Sequence, residues 1–239
     1  MARIVTWDLE TSTFGFKANS GFILCATIKE LGKPVEVLKR DNMQPNPLND
    51  KKLVRQIYNR LLQADMWVTH NGRWFDIPFL NSRLLHWGLP PLPSMPHFDT
   101  CEASFKKLKI KNSLEAIGEF LGCKVQKYKV SFDEWVKAYA GDKKALLKIV
   151  KHGVNDARLT EEVYIKMRPL GYKHPNIALI NKDGRQCPVC GKKNTLQSRG
   201  WLPAKVNQAK RYQCVPSKGG CGTWSHAKYE KVKGIDIRI

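Results

Sequence analysis

The sequence predicts an α/β fold, a mixed β-sheet flanked by helices, followed by a small C-terminal β module built on cysteines. Three observations predict it. Short apolar runs of strand-forming residues alternate with longer stretches of helical periodicity up to about residue 168. The periodicity stops after Pro169-Leu170-Gly171. Beyond it come glycines, short strands and four of the seven cysteines.

Residues 3–9, about 21–30 and 34–39 read as three strands. Short turns such as Gly32-Lys33-Pro34 join them into an antiparallel meander. A Pro/Asn loop, residues 44–50, precedes a helix that Asn49 or Asp50 can cap, with Leu53, Ile57 and Leu61 on one face. Trp67-Val68-Thr69 is a short strand that His70-Asn71-Gly72 breaks. A helix opens at Asp76, with Pro78 tolerated in its first turn, and ends near Gly88. His97 to Thr100 reads as a strand end, and Asn112 to Leu121 as a helix closed by Gly122. After a basic stretch, Lys124 to Lys129, helices are expected over Ser131–Tyr139 and Asp142 to about Met167, the second interrupted near Gly153. These signals divide the chain into 1–170, a linker 171–184 and a basic module 185–239.

The net charge is +20, from 41 Lys+Arg against 21 Asp+Glu. It is uneven: after residue 165 lie 16 of the basic residues and only 3 of the acidic ones. A field of that strength points to a polyanion partner, a nucleic acid. No signal peptide and no apolar run of transmembrane length is visible, which predicts a cytoplasmic protein without a membrane partner. Cysteines in such a chain are expected to be reduced and to bind metal.

Ile4-Val5-Thr6-Trp7-Asp8-Leu9-Glu10-Thr11 is a strand ending in two acids one residue apart. Side chains alternate along a strand, so Asp8 and Glu10 face the same way and repel unless something positive lies between them. A divalent cation suits that place. Asp76 opens a helix, where the dipole alone favours an acid. His152 and Asp156 are four residues apart and share a helix face.

The ordered set Asp8-x-Glu10, Asn71-x-x-x-Phe75-Asp76-x-x-Phe79-Leu80 and His152-x-x-x-Asp156 resembles the three motifs of the DEDD exonucleases. These are the DnaQ-like 3′–5′ exonucleases of ribonuclease-H-like fold. The resemblance covers about residues 1–168. It implies that Asp8, Glu10, Asp76 and Asp156 hold two Mg²⁺ or Mn²⁺ ions, hard cations that take carboxylate oxygens. It implies that His152 takes the proton of the attacking water. It also implies that Thr11, Asn71 and Phe75 bind substrate, although Asn71 fits a turn and Phe75 a core aromatic as well. In this superfamily the base is a histidine five positions before the last aspartate or a tyrosine four before it. Here a histidine occupies the tyrosine's spacing. Asp99 fits a structural acid.

Cys187-Pro188-Val189-Cys190-Gly191 presents two thiolates from one tight turn, and Cys214 and Cys221 follow. The segment resembles a zinc ribbon whose second pair encloses six residues instead of two. One structural Zn²⁺ is expected, with His226 a substitute ligand, and the metal supplies most of the module's folding energy. Lys192, Lys193, Arg199, Trp201, Lys205, Lys210 and Arg211 lie around it. Cations for phosphates and aromatics for bases suit single-stranded nucleic acid. Trp224 and Tyr212 also fit as filling for the small core. Cys25, Cys101 and Cys123 read as core or incidental thiols.

The expected function is a metal-dependent 3′–5′ exonuclease that releases nucleoside 5′-monophosphates from single-stranded DNA, or from RNA, with replication or repair proteins as further partners. A structure-specific endonuclease on the same fold and a non-catalytic nucleic-acid-binding adaptor are the alternatives. The alternating tail Ile235, Ile237 and Ile239 could pair with a sheet edge.

Overall fold

A computed structural model describes residues 1–12, 17–40, 49–204 and 206–232. Most of the Pro/Asn loop, Lys205 and the isoleucine tail lie outside the described residues. The chain divides into two compact units, Arg3–Met167 and a second made of Arg168–Ile239 with Met1–Ala2.

The larger unit is built on a five-stranded sheet. Its strands are β1 (Ile4–Thr11), β2 (Ile23–Glu30), β3 (Val35–Lys39), β4 (Met66–Thr69) and β5 (His97–Asp99), in spatial order β3-β2-β1-β4-β5. β1, β2 and β3 form an antiparallel meander, and β4 and β5 join parallel to β1 and to each other. The helices are α1 (Lys51–Leu61), α2 (Asp76–His86), α3 (Thr100–Lys107), α4 (Leu114–Phe120), α5 (Phe132–Tyr139) and α6 (Lys143–Met167).

Alternation along the strands fills both faces. Val5, Trp7 and Leu9 of β1 and Ile23, Ala26 and Ile28 of β2 pack in one core with Leu53, Val54 and Ile57 of α1 and Leu80 and Leu84 of α2. Phe22, Leu24 and Cys25 form another core with Ala138 of α5 and Ala145, Leu146 and Ile149 of α6. The odd residues of β1 are thereby committed to the α1/α2 side. Asp8 and Glu10 are left to the α6 side.

Two expectations change. α6 runs without a break through Gly153, because that glycine is where the helix meets the sheet: the Thr27 hydroxyl of β2 donates to its carbonyl at 3.1 Å. α3 follows β5 directly, and no helix was expected there. Asp99, read as a strand end, is its N-cap and accepts from the N–H groups of Cys101 and Glu102. The same carboxylate accepts from the N–H of Asn71 at 3.0 Å and of Arg73 at 3.1 Å, which fixes the turn after β4.

Asp50 stands at the N-cap position of α1, yet its carboxylate caps nothing. It accepts from the Ile23 N–H at 2.9 Å, the Trp87 indole at 2.7 Å and the Arg83 guanidinium at 2.6 Å, so it ties α1, α2 and β2 together. Asn49 takes the cap instead, accepting from the Lys51 N–H.

The smaller unit holds a helical turn, α7 (Ile177–Ile180), inside the stretch read as a linker; Ile177 and Ala178 are buried. A sheet follows, with β6 (Leu196–Ala204), β7 (Asn207–Cys214) and β8 (Trp224–His226) side by side and β9 (Glu230–Lys231) also on β7. Among the described residues no helix is long and apolar enough to cross a membrane.

The Asp50–Arg83 pair is buried, with side-chain exposures of 0% and 7%. Removing one partner of such a pair leaves an uncompensated charge. Asp50→Ala should therefore lower the unfolding free energy by about 3–5 kcal/mol, measured by urea denaturation. A loss below about 1 kcal/mol would contradict this account of how α1 is fastened.

Candidate functional site

β1 carries Asp8 and Glu10 along the face that α6 covers. α2 brings Asp76, held against β1 by the Leu9 N–H, which donates to Asp76 Oδ1 at 2.8 Å. α6 brings Asp156 and His152. Glu10, Asp76 and Asp156 are 6%, 2% and 7% exposed, too buried for solvent to quench their repulsion, and Asp8 is half-buried.

The electrostatics record the convergence. Burial, then Asp76 and Asp156, push the Asp8 carboxyl well above the usual range. Burial, then Asp8, Asp156 and Asp76, do the same to Glu10. Asp76 is raised to about 7, chiefly by burial, and the Leu9 N–H opposes that shift. Glu10 Oε1 and Asp156 Oδ1 are buried without a hydrogen-bond partner among the described residues. A cluster of buried carboxylates with unused lone pairs fits hard cations.

α6 reaches these acids because Gly153 has no side chain. A Cβ there would lie 3.0 Å from Glu10 Oε1 and 3.1 Å from Thr27 Cγ2, closer than either neighbour accommodates without moving.

His152 Nδ1 is hydrogen-bonded to the carbonyl of Tyr128. A carbonyl can only accept, so Nδ1 carries the proton, and in the neutral ring Nε2 keeps its lone pair. Nε2 lies 3.6 Å from Asp156 Oδ2 and 3.9 Å from Glu10 Oε1. The tyrosine-type spacing therefore still brings the imidazole to the acids.

Lys127 was read only as part of a basic stretch. Its Nζ lies 3.1 Å from Asp156 Oδ2, and its charge opposes the rise at both Asp8 and Glu10. The segment carrying it is strapped along α6. Lys124 N–H donates to Glu162 at 2.7 Å, Asn155 Nδ2 donates to the Gln126 carbonyl at 2.8 Å, and Lys151 Nζ sits 4.3 Å from the Tyr128 ring centroid. Alternate backbone carbonyls in a loop leave no periodic sequence signal.

The expected substrate-binding residues fare unequally. Asn71, at φ 63°, is exposed beside the site. Phe75 is half-buried, its ring centroid 5.7 Å from that of Phe79. Thr11 is 5% exposed, about as buried as Glu10, and lies just past a shift of register between Glu10 and Thr11.

In the smaller unit the sulfurs of Cys187, Cys190, Cys214 and Cys221 all lie within 4.8 Å of one another, the one such group of potential ligands among the described residues. Cys187 and Cys221 are 3.9 Å apart, and Cys190 and Cys214 3.7 Å. Sulfurs at the corners of a tetrahedron around an ion 2.3 Å away stand about 3.8 Å apart, whereas a disulfide requires about 2.05 Å. That spacing fits a metal ion. Gly191, at φ 71°, closes the first cysteine turn, and the N–H groups of Val189 and Cys190 point at Cys187 Sγ. His226 is not in the cluster; its Nδ1 is bonded to the Ala227 carbonyl. Around the cysteines the buried cluster is small, Cys187, Val189 and Cys214, with Ala209 and Val215 among the few other buried apolar residues of this sheet. This unit is compatible with a zinc ribbon.

Its basic residues divide in two. Lys192 donates to the Gly219 carbonyl and Lys193 pairs with Asp183 at 2.9 Å, so both brace the cysteine loops. Arg199 and Arg211 sit on the sheet, Arg199 bonded to Gln213 and Arg211 to the Arg199 carbonyl. Lys210 is exposed on the same strand. The Arg211 guanidinium lies 4.9 Å from the Trp224 ring centroid. Trp224, expected to fill the small core, is 51% exposed, as is Trp201 at 50%, because the cysteines already occupy the interior.

A family model of the RNase_H superfamily matches residues 5–168. The PolC-type DNA polymerase III of Ureaplasma parvum serovar 3 (strain ATCC 700970) is 28% identical over 189 residues, covering 66% of this chain and 12% of that protein. The structure of the family B DNA polymerase from the hyperthermophilic archaeon Pyrobaculum calidifontis is similar with a TM-score of 0.53 and 15% identity, over 71% of this chain and 25% of that one. The latter likeness is one of fold. The chain spans only a small part of either polymerase. The mixed sheet with its flanking helices, together with a family model that matches most of its length, places this chain in the RNase_H superfamily.

Proposed function

We propose that the chain is a metal-dependent 3′–5′ exonuclease acting on single-stranded nucleic acid, DNA in the first place. The observation that carries this reading is the convergence of four acids from β1, α2 and α6 around a histidine whose Nε2 is free to accept a proton. Asp8, Glu10, Asp76 and Asp156 would hold two Mg²⁺ or Mn²⁺ ions. Such a pair, about 3.5–4 Å apart, activates water and neutralises charge on a phosphoryl group, and it needs a ligand set wider than a single ion's. That width agrees with acids less tightly clustered than the cysteines.

The residues of the chain then have separate tasks. His152 Nε2 takes one proton from the water that attacks phosphorus. The Tyr128 carbonyl keeps Nδ1–H in place, so the imidazolium that forms stays oriented. The bond from phosphorus to the 3′ oxygen of the preceding nucleotide breaks, that oxygen takes a proton from solvent to become the strand's 3′-hydroxyl, and a nucleoside 5′-monophosphate is released. Asn71 and Phe75 hold the terminal nucleotide, Phe75 by contact with its base or sugar. Polarity and product rest on the resemblance to DnaQ-like exonucleases. Likeness to two proteins titled as DNA polymerases supports a DNA substrate and a setting in replication or repair.

The cysteine cluster holds one structural Zn²⁺. The sheet beside it grips the strand through Arg199, Trp201, Lys210 and Arg211, to which the geometry adds Trp224. A guanidinium stacked on an exposed indole offers a flat cationic surface for a base.

A 5′-labelled single-stranded oligonucleotide with Mg²⁺ or Mn²⁺ should shorten one nucleotide at a time and release mononucleotides. Glu10→Ala should abolish this, and His152→Ala should slow it about 10²–10⁴-fold at neutral pH. Internal fragments would identify an endonuclease. Binding without cleavage would identify an adaptor, and near-normal turnover of the His152 variant would remove His152 from the mechanism.

Cys187→Ser should lose bound zinc by elemental analysis and weaken oligonucleotide binding, with a shallower dependence of affinity on salt. Unchanged affinity and salt dependence in the zinc-depleted variant would refute a binding role for this unit.

A further inference from the structure

Arg40, directly after β3, is buried at 6% exposure and is part of neither the acid cluster nor the cysteine unit. Its N–H continues the sheet to the Leu24 carbonyl, and its guanidinium lies 4.9 Å from the Phe22 ring centroid. The ring covers one face of the cation but satisfies none of its in-plane donors. Nε and Nη1 are buried without a hydrogen-bond partner among the described residues. A guanidinium so placed is costly unless an anion accepts from it.

The nearby acid does not serve. Asp50 attracts Arg40 electrostatically, but its oxygens already accept from Ile23, Arg83 and Trp87, and Arg83 balances its charge. Arg40 instead lines a cavity of about 120 Å³ whose other walls include Lys39, Asn49, Asp50, Lys52 and Gln56. At about 10–15 Å³ of such space per water, that is room for several water-sized groups, enough for a phosphate. Lys39 and Lys52 add two positive charges. The cavity also abuts the start of α1, an eleven-residue helix with no acid in its first turn, where Asn49 accepts from the Lys51 N–H. The positive end of a helix favours anions.

We infer that this cavity is a phosphate-binding site, with Arg40 as the buried donor and Lys39, Lys52 and the start of α1 completing the charge. It takes an anion, whereas the acid cluster repels one, so it is a separate site. A backbone phosphate of a bound strand and free inorganic phosphate share the chemistry it recognises. Its occupation does not depend on hydrolysis.

The test uses the full chain without added Mg²⁺ or Mn²⁺, so it stands whether or not the protein proves to be a nuclease. Three variants are compared with the parent: Arg40→Met, the pair Lys39→Gln/Lys52→Gln, and the charge-matched pair Lys143→Gln/Lys144→Gln as control. In one arm, inorganic phosphate should raise the melting temperature of the parent and the control pair, and the increment should vanish in the other two. In the second arm, anisotropy of a labelled oligothymidylate should show several-fold weaker binding for Lys39→Gln/Lys52→Gln than for the control. The slope of log affinity against log salt should drop by about 0.7, one phosphate contact on a single strand. A response in the second arm identifies a strand phosphate, and a response in the first alone identifies free phosphate; either supports the site. If Arg40→Met does not fold, the lysine pair decides. Parent-like behaviour of Lys39→Gln/Lys52→Gln in both arms would overturn the proposal.

Discussion

Like charges gathered in a place largely shielded from water are the constraint on which the larger unit turns. Glu10, Asp76 and Asp156 are nearly buried, and Asp8 lies beside them. Each of Asp8 and Glu10 is pushed up first by burial and then by the other acids. Nothing in folding alone rewards that arrangement. The sheet therefore has to hold it by force of packing: Val5, Trp7 and Leu9 lock β1 from the far side, and the Leu9 N–H pins Asp76. Buried repulsion tolerated at this level is a common mark of a functional site.

α6 supplies what keeps the repulsion in check. It approaches closely at Gly153, where Glu10 occupies the space a side chain would need. One turn of it presents His152, Asn155 and Asp156, which fasten the 126–128 segment and bring Lys127 to Asp156. In the protein alone, a lysine provides the positive charge that the acids call for. Under the proposed function Lys127 and the ions compete for Asp156, so this lysine sets how readily the site loads.

The sequence disclosed the acids because their chemistry is written in residue type and order. Asp8 and Glu10 share a strand face by simple alternation, and His152 and Asp156 share a helix face by simple spacing. The sheet was legible for the same reason, since β1, β2 and β3 are short alternating runs separated by turn residues. What could not be read depends on backbone groups or on competition for space. Lys127 reaches Asp156 only because carbonyls of a loop are held by α6. α3 was missed because Asp99, which caps it, also looks like the end of a strand. Arg40 looks like any basic residue until its burial and its unanswered donors are seen. Trp224 was assigned inward on the expectation that a small unit spends its aromatics on a core, yet the cysteines and Val189 already fill that core.

Under the proposed function the two units would use opposite kinds of metal-binding chemistry, soft sulfurs at the spacing of one tetrahedral ion and hard carboxylate oxygens for a pair of ions. Under the proposed function the acids of the larger unit gather two hard cations. That is tested most directly by diffraction from crystals soaked in Mn²⁺, using the anomalous signal of manganese. Two peaks are expected among Asp8, Glu10, Asp76 and Asp156, with Lys127 displaced from Asp156. Absence of manganese there at saturating concentration, with Lys127 still paired to Asp156, would contradict it.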